Sequence, residues 1–296
     1  MIKTHKKKFR KFSAYELIVM IFLAVLALSY IYIMFWSVIS SLKDIDDFDG
    51  NMFGLPKTIV WDHLVYVVKN LKVPVRHGTS LQYVGIPTML LNTFVYVIGC
   101  GLSSTLVPFV TAYFVTHYPY KFSKALYVFV IVAMGIPVVG TQAASVELMQ
   151  DLKLYDNMLG LIFMRGSIIG MYFLIMCASF KTVPKELIEA AQVDGASQFR
   201  VMAQIVMPMA QNVFWTVLLI NAIGFWNEYS SVYLYQPSFP TLSVGLYKMI
   251  NSSAQGMGFI PRRMAACIAL MIPVLILFIF FHDKMMKNLS MGGVKE

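Results

Sequence analysis

The sequence predicts an all-α, polytopic membrane protein with six transmembrane helices. Of its 296 residues, 58% are hydrophobic and only 13% are charged, which is about half the charge of an ordinary soluble domain. A chain with so little charge cannot cover a globular surface with polar side chains. Composition therefore excludes an ordinary soluble domain, a disordered chain and a disulfide scaffold.

Six apolar stretches have about the length that indicates a membrane-spanning helix, which is ~18 residues or more. They cover residues 17–40, 84–116, 125–146, 157–180, 201–227 and 264–282. The second is longer than a bilayer requires, so we expect one of its ends to tilt or to project. Gly135, Pro137 and Gly140 interrupt the third, and Pro208 lies near the start of the fifth.

The distribution of Lys and Arg predicts the orientation, because these residues accumulate in cytoplasmic loops. With the N-terminus inside, most of them fall in segments 1–16, 117–124, 181–200 and 283–296, whereas the outer loops carry no net charge. We therefore expect a basic cytoplasmic segment 1–16, a first helix 17–40, an extracellular loop 41–83 and a cytoplasmic tail 283–296. Four aspartates in the outer loop suggest either a solvated loop or a docking surface; they are Asp44, Asp46, Asp47 and Asp49.

Neither catalysis nor metal binding is indicated by the pattern of reactive side chains. Cys100, Cys177 and Cys267 each lie in an apolar run, and the five histidines are scattered. We expect no catalytic residue and no metal site. The formal charge of +9 reflects membrane topology rather than a nucleic-acid partner.

Between the fourth and fifth stretches, the sequence predicts a short amphipathic helix outside the hydrocarbon. Leu187, Ala190 and Ala191 recur at i, i+3 and i+4 and form a narrow apolar face. Gly195 suits a left-handed helix end, and Ser197 can cap the next helix. A helix this short is marginally stable alone, so we expect it to occupy a groove of a partner.

The same segment resembles the EAA loop of binding-protein-dependent ABC importer permeases. E-A-A at 189–191 is followed at the family's spacing by Gly195, Ile205 and Pro208, and only Met207 departs from the usual Leu. W-N-E-Y at 226–229 and G-G-V-K at 292–295 are similar to the carbohydrate branch, whose smaller maltose-type permease has six spans. The resemblance covers roughly residues 84–296.

This resemblance implies an ABC type I importer permease fold over 84–282, with a coupling loop at about 181–208. It also implies a second, different permease chain, two ATP-binding subunits that bind ATP and Mg, and an extracellular solute-binding protein. The chain would lie in the lipid bilayer of a bacterial or archaeal plasma membrane. It has no G-x-x-x-x-G-K-[ST] phosphate loop, so we expect neither enzymatic activity nor a cofactor of its own.

Two sets of site residues follow from the resemblance and from the polar side chains of the spans. Contact with an ATP-binding subunit is expected of Glu189, Ala190, Ala191, Asp194, Gly195, Ile205 and Pro208. Arg165, the only charge within a predicted span, either contacts substrate or pairs with Glu228, Glu147 or a carbonyl of the partner subunit. Further candidates for the substrate path are Asn92, Gln142, Asn221, Trp226, Asn227 and Glu228.

The leading hypothesis is a permease subunit of a carbohydrate importer, with an oligosaccharide as the expected substrate. An importer for a polyamine or a phosphonate remains an alternative, because the EAA loop does not distinguish solutes. An ion-coupled transporter would need carboxylates or histidines within the membrane, and the interiors of the six stretches hold no carboxylate. A membrane enzyme would need a cluster of catalytic residues at one depth of the membrane, and the sequence shows no such cluster.

Overall fold

The computed structural model describes residues 13–77, 80–118, 120–137, 139–251 and 258–290. The chain divides into two compact units. The first comprises Met1–Lys69 and Ser253–Ala269, and the second comprises Asn70–Ser252 and Leu270–Glu296.

The first unit begins with a long apolar helix, α1, at Ala14–Ser41. Its start is fixed by a capping box, in which the Ser13 amide donates to Glu16 Oε2 at 2.9 Å. The predicted span 17–40 lies inside this helix. None of its most apolar window is buried within the protein, as expected for a helix whose side chains face lipid on all sides.

The acidic segment that follows α1 contains helices, and three of its four aspartates, Asp44, Asp46 and Asp49, are exposed. It contains α2 at Ile45–Gly50 and leads to α3 at Asp62–Asn70. Lys43 is fully buried, donates from Nζ to the Asn51 carbonyl and lies 6.0 Å from the Phe48 ring centroid. Asp47 is also buried and accepts a 2.9 Å bond from the Lys57 amide.

The second unit contains a β-hairpin, which the all-α prediction missed. β1 at Val73–His77 pairs antiparallel with β2 at Ser80–Val84. Val73 and Val75 are buried while the residues between them are exposed, the alternation of a half-buried strand. The all-α prediction was wrong for this segment, because a search for membrane-length apolar stretches does not detect two five-residue strands.

The second unit is built around α4, Ile86–His117. Around it the chain forms further helices, which are α5 (Lys121–Gly135), α6 (Gln142–Asp151), α7 (Met158–Met164), α8 (Met171–Lys181) and α9 (Lys185–Val193). Aromatic packing joins α4 to its neighbours, because the Phe109 ring lies 4.9 Å from Phe180 and 5.1 Å from Phe214.

After α9 the chain continues through a bent pair of helical segments. The first segment consists of α10 (Gln198–Val201), a π-helical stretch (Met202–Val206) and α11 (Met207–Met209), and the second is α12 (Gln211–Asn227). The axes of the two segments differ by 69°. The last elements are α13 (Ser230–Tyr235), α14 (Leu242–Asn251) and α15 (Ile260–Ser290).

The described residues do not form six continuous membrane-length helices. By length and composition, α1 and α4 could cross a membrane, and the bent pair containing α12 could supply a third span. The third predicted stretch is divided between α5 and α6, and the fourth between α7 and α8. Gly135, Pro137 and Gly140 account for the first division, because glycine and proline weaken a helix interior. The sixth predicted stretch lies within α15, whose later side chains are outside the described residues.

Candidate functional site

The end of α9 is closed by local backbone bonds around Gly195. The Ala196 amide donates to the Ala191 carbonyl, and the Gly195 amide donates to the Gln192 carbonyl, both at 3.0 Å. This pair of bonds is the Schellman arrangement, which requires a left-handed residue. Gly195 has φ of +79°, so the predicted left-handed end is confirmed. The predicted cap is confirmed too, because Ser197 Oγ accepts from the Arg200 amide at 3.3 Å.

The apolar residues of α9 face in two directions. Ile188 and Ala191 pack against the core of the second unit. Leu187 is 45% exposed, and Glu189 and Ala190 are also exposed. The predicted apolar face is therefore divided: Ala191 holds the helix to its own chain, whereas Leu187 and Ala190 are open to another surface.

A cavity of about 470 Å³ lies between α9 and the end of α4. Glu189 lines it together with Lys185 and His117. Two other lining residues are hydrogen-bonded to each other: Tyr118 Oη donates to Gln198 Oε1 at 2.9 Å. Glu189 is therefore an exposed carboxylate on the wall of a cavity with a mixed polar and apolar lining. Asp194 caps the C-terminus of α9 and is exposed.

Pro208 and Ile205 lie where the chain turns from α10 into α12. Ile205 is half-buried in the π-helical stretch, and Pro208 is exposed and is the second residue after that stretch. A proline has no N–H to donate to the carbonyl four residues earlier, and its ring crowds that carbonyl. Widened turns and bends are the usual result. Pro208 accordingly accounts for the π-helical stretch and contributes to the 69° bend.

The predicted pairing of Arg165 with Glu228 is present, at a break in the helices. Arg165 ends α7, and α8 starts at Met171. Arg165 Nη2 donates to Ser231 Oγ at 2.6 Å and lies 3.9 Å from Glu228 Oε2. The same nitrogen is 3.5 Å from the hydroxyl of Tyr96. A second cavity, of about 240 Å³, adjoins Arg165 at this break.

Glu228 accepts hydrogen bonds from the first residues of α13 and is also paired with Arg165. Its Oε1 accepts from Ser230 Oγ at 2.7 Å and from the Ser231 amide at 3.1 Å. Burial raises the pKa of this carboxyl, but the two serine bonds and the Arg165 charge outweigh burial and hold the pKa below its ordinary value. Glu228 is therefore ionised at neutral pH and acts as a fixed anion.

The other candidates for the substrate path lie at different places. Asn92 is buried and donates to the Pro240 carbonyl at 3.1 Å, and Asn221 donates to Thr105 Oγ1 at 3.0 Å. Trp226 is only 4% exposed and packs edge-on against Phe94. Gln142, at the start of α6, and Asn227, at the end of α12, are exposed. Among the candidates for the substrate path, Arg165 and Glu228 are joined by an ion pair.

Comparison with known proteins gives the family. The model of the "Binding-protein-dependent transport system inner membrane component" family matches residues 104–290, which is more than half of the chain. The chain belongs to this family. It is a transport permease and a membrane protein.

Among its relatives is the arabinooligosaccharides transport system permease protein AraQ of Bacillus subtilis (strain 168). That protein is 22% identical, over 96% of this chain and 98% of AraQ. The sn-glycerol-3-phosphate transport system permease protein UgpE of Yersinia pestis bv. Antiqua (strain Antiqua) is 24% identical, over 92% of this chain and 94% of UgpE.

The permease also shares its fold with a solved structure. This is a bacterial ABC transporter involved in the import of the acidic polysaccharide alginate, with a TM-score of 0.73 at 21% identity. The match covers 93% of this chain and 99% of the other. The fold is therefore that of a type I importer permease.

Sequence reasoning missed several residues that build the Arg165 site of this permease. Ser231 and Tyr96 hold the guanidinium, and Ser104 Oγ donates to the Arg165 carbonyl at 3.1 Å. These residues come from α4 and α13, and no local pattern links them to Arg165. Among the residues that the structure describes, no group of three or more His, Cys, Asp or Glu side chains could hold a metal ion.

Proposed function

We propose that this permease forms half of the translocation pathway of an ATP-driven importer for a carbohydrate, most simply an oligosaccharide. The family assignment carries the transport function. The full-length relative AraQ, named for arabinooligosaccharides, and the W-N-E-Y run at 226–229 support a carbohydrate. The relative named for sn-glycerol-3-phosphate makes a phosphorylated solute the comparison that a test must include.

In this proposal, the exposed side of α9 docks on an ATP-binding subunit. Glu189 provides the ionic anchor, Ala190 allows close approach, and Leu187 supplies an exposed apolar contact. Ala191 holds α9 to its own chain. Asp194 and Gly195 end the helix, and Ile205 and Pro208 lie in the segment that leads from α9 to the bend before α12. Movement of the ATP-binding subunit would thereby reach the membrane part of the chain.

The proposed assembly contains one copy of this chain, a different permease chain, two ATP-binding subunits and an extracellular solute-binding protein. ATP and Mg would bind to the ATP-binding subunits. Both termini would be cytoplasmic, with 41–83 outside, 84–282 as the permease domain and 283–296 as an inner tail. Arg165 and Glu228 would lie beside the substrate path, with Gln142 and Asn227 as exposed polar neighbours.

The decisive experiment is reversal of the anchoring charge in the complete transporter. Glu189→Lys should remove the ATPase activity that the loaded binding protein stimulates, because it would place a cation where an anion is expected. Glu147→Lys, at another exposed carboxylate, is the matched control. ATPase would be measured with arabinotriose-loaded and with unloaded binding protein, alongside co-purification of the four subunits. Stimulation equal to the parent's in Glu189→Lys would contradict the role of α9.

A further inference from the structure

Three tyrosine rings form a cluster that includes Tyr229, the residue after Glu228. Tyr229 and Tyr247 are stacked, with ring centroids 4.4 Å apart and planes inclined by 17°. Tyr233 meets Tyr247 edge-on, at 5.8 Å and 67°. The three rings come from the start of α13, from α13 itself and from α14, so the fold brings them together. We call Tyr229, Tyr233 and Tyr247 the tyrosine platform.

Exposure separates the platform from the aromatic residues around it. Tyr229, Tyr233 and Tyr247 are 42%, 46% and 37% exposed, whereas Trp226 and Tyr235 are only 4% and 6% exposed. The buried pair belongs to the core. The exposed three present ring surface and hydroxyl groups outside it, although tyrosine usually hides its apolar body and exposes only its polar tip.

Buried residues and hydrogen bonds fix α14, the helix that carries Tyr247 of the platform. Leu242, Val244 and Met249 of α14 are buried. The Leu242 amide donates to Thr93 Oγ1 at 2.9 Å, and Ser243 Oγ donates to the Trp226 carbonyl. Because α14 is bonded both to α4 and to the end of α12, the rings are already in place before a ligand arrives, which lowers the cost of binding.

The chemistry of the platform suits the ring of a sugar. The face of an aromatic ring is electron-rich, and the C–H groups on one side of a pyranose or furanose are weakly positive, so the two surfaces stack. The tyrosine hydroxyls can donate to and accept from sugar hydroxyls at the rim. A flat stack of rings bordered by hydroxyl groups provides both kinds of contact at once.

The ring faces of the platform, rather than the charges near it, favour a neutral sugar over an acidic or phosphorylated one. Lys248 Nζ lies over the Tyr233 ring at 5.4 Å from its centroid. Arg165 is paired with Glu228, the residue next to Tyr229. The Arg165 charge is paired by Glu228, whereas Lys248 keeps its charge on the Tyr233 ring. The preference for a neutral sugar therefore comes from the electron-rich faces of Tyr229 and Tyr247, which repel an anion.

We propose that Tyr229, Tyr233 and Tyr247 form a stacking site for a neutral saccharide. The proposal rests on the proposed function, since it names the class of solute and the place where this chain meets it. Tyr229 and Tyr247 provide the stacked surface, and Tyr233 supports Tyr247 from its edge.

The test measures binding to the assembled transporter without its binding protein, so that the permease itself selects the probe. The four-subunit complex in lipid nanodiscs, free of ATP, is mixed with arabinotriose, and saturation transfer from protein to sugar protons is recorded by NMR. Tyr229→Ala and Tyr247→Ala should each reduce the transfer about fivefold, the size expected from loss of one aromatic contact. Tyr229→Phe and Tyr247→Phe should retain most of it. Tyr83→Ala, at an exposed tyrosine of β2, should match the parent.

Several results would overturn the proposal. Equal transfer in the parent and both alanine variants would remove the site, while arabinotriose import by the complete parent system would leave the proposed function standing. Stronger transfer to sn-glycerol-3-phosphate than to arabinotriose would assign another solute class. If the alanine variants lost docking of the unloaded binding protein, the platform would be a protein contact. A parent that neither binds nor imports any saccharide would refute both proposals.

Discussion

The helices of this permease are interrupted at Gly195 and at Arg165, and the two interruptions are built differently. At Gly195 every bond that closes the junction joins residues within five positions of each other. At Arg165 the partners Ser104, Ser231 and Tyr96 are 61, 66 and 69 positions away. The first interruption is encoded locally, whereas the second exists only after the second unit has folded. Local changes should therefore disrupt the first, and distant changes should disrupt the second.

The largest effect is expected from Gly195→Pro. Proline fixes φ near −65° and cannot donate a backbone hydrogen bond, but Gly195 has φ of +79° and its amide donates to the Gln192 carbonyl. The variant should insert and assemble its membrane part but lose stimulated ATPase completely.

Gly195→Asn is the matched control, because asparagine tolerates a left-handed conformation. A Cβ at this position meets no atom within 4 Å, so the control tests conformation without a clash. ATPase of the reconstituted complex is the measurement. If the proline variant kept the parent's stimulation, the junction would not be a mechanical link.

Arg165→Met should have the next largest effect. It leaves Glu228 without its cation and Ser231 Oγ without its donor. Arg165 and Glu228 are 26% and 29% exposed, so water lessens the loss, and we expect destabilisation of about 1–2 kcal/mol rather than that of a fully buried pair. The measurement is the thermal unfolding midpoint of the complex in detergent. An unchanged midpoint would show that the α7–α8 break does not depend on this contact.

Ser231→Ala should cost less, about 0.5–1.5 kcal/mol, because it removes one hydrogen-bond acceptor of Arg165 and keeps the ion pair. Its amide still donates to Glu228 Oε1. Its thermal midpoint should lie between those of the parent and Arg165→Met. A midpoint below that of Arg165→Met would mean that Ser231 acts through other contacts.

The smallest effect concerns the pH dependence of the pair. The pKa of Glu228 is held below its ordinary value of about 4.3, so its stabilising contribution is complete above that pH. The contribution is lost as pH falls through the lowered pKa. The difference in unfolding midpoint between the parent and Glu228→Gln should be constant at neutral pH and should shrink below about pH 4. A difference that grew on acidification would contradict this sign.

The same contrast explains how far the sequence predicted the structure. Hydropathy alone predicted α1 and α4, because length and apolar character are properties of a continuous segment. Spacing predicted the left-handed Gly195 and the Ser197 cap. The hairpin at Val73–Val84 was missed, since its alternation is short and lies in a segment interpreted as a loop.

Tertiary contacts set the limit of prediction at the candidate site. The sequence left several partners open for Arg165. Glu228 is the partner in the structure because α13 reaches the break between α7 and α8. Trp226 and Tyr229 stand three residues apart in one motif, yet the first is buried and the second is exposed. Tyr247, which completes the tyrosine platform, comes from α14 and has no signal in the motif.

The bend at Ala210, between the two helical segments, has a geometric consequence for the size of the movement that α9 can produce. α12 has 17 residues, which at 1.5 Å per residue is roughly 25 Å of rigid rod. A rotation of about 10° around the bend would sweep the far end of that rod through about 4 Å. That end carries Asn227, and Glu228 and Tyr229 follow it directly. A displacement of that size exceeds a hydrogen-bond length, so a small rotation at the Gln211 end of α12 is enough to exchange one set of contacts for another at the Asn227 end.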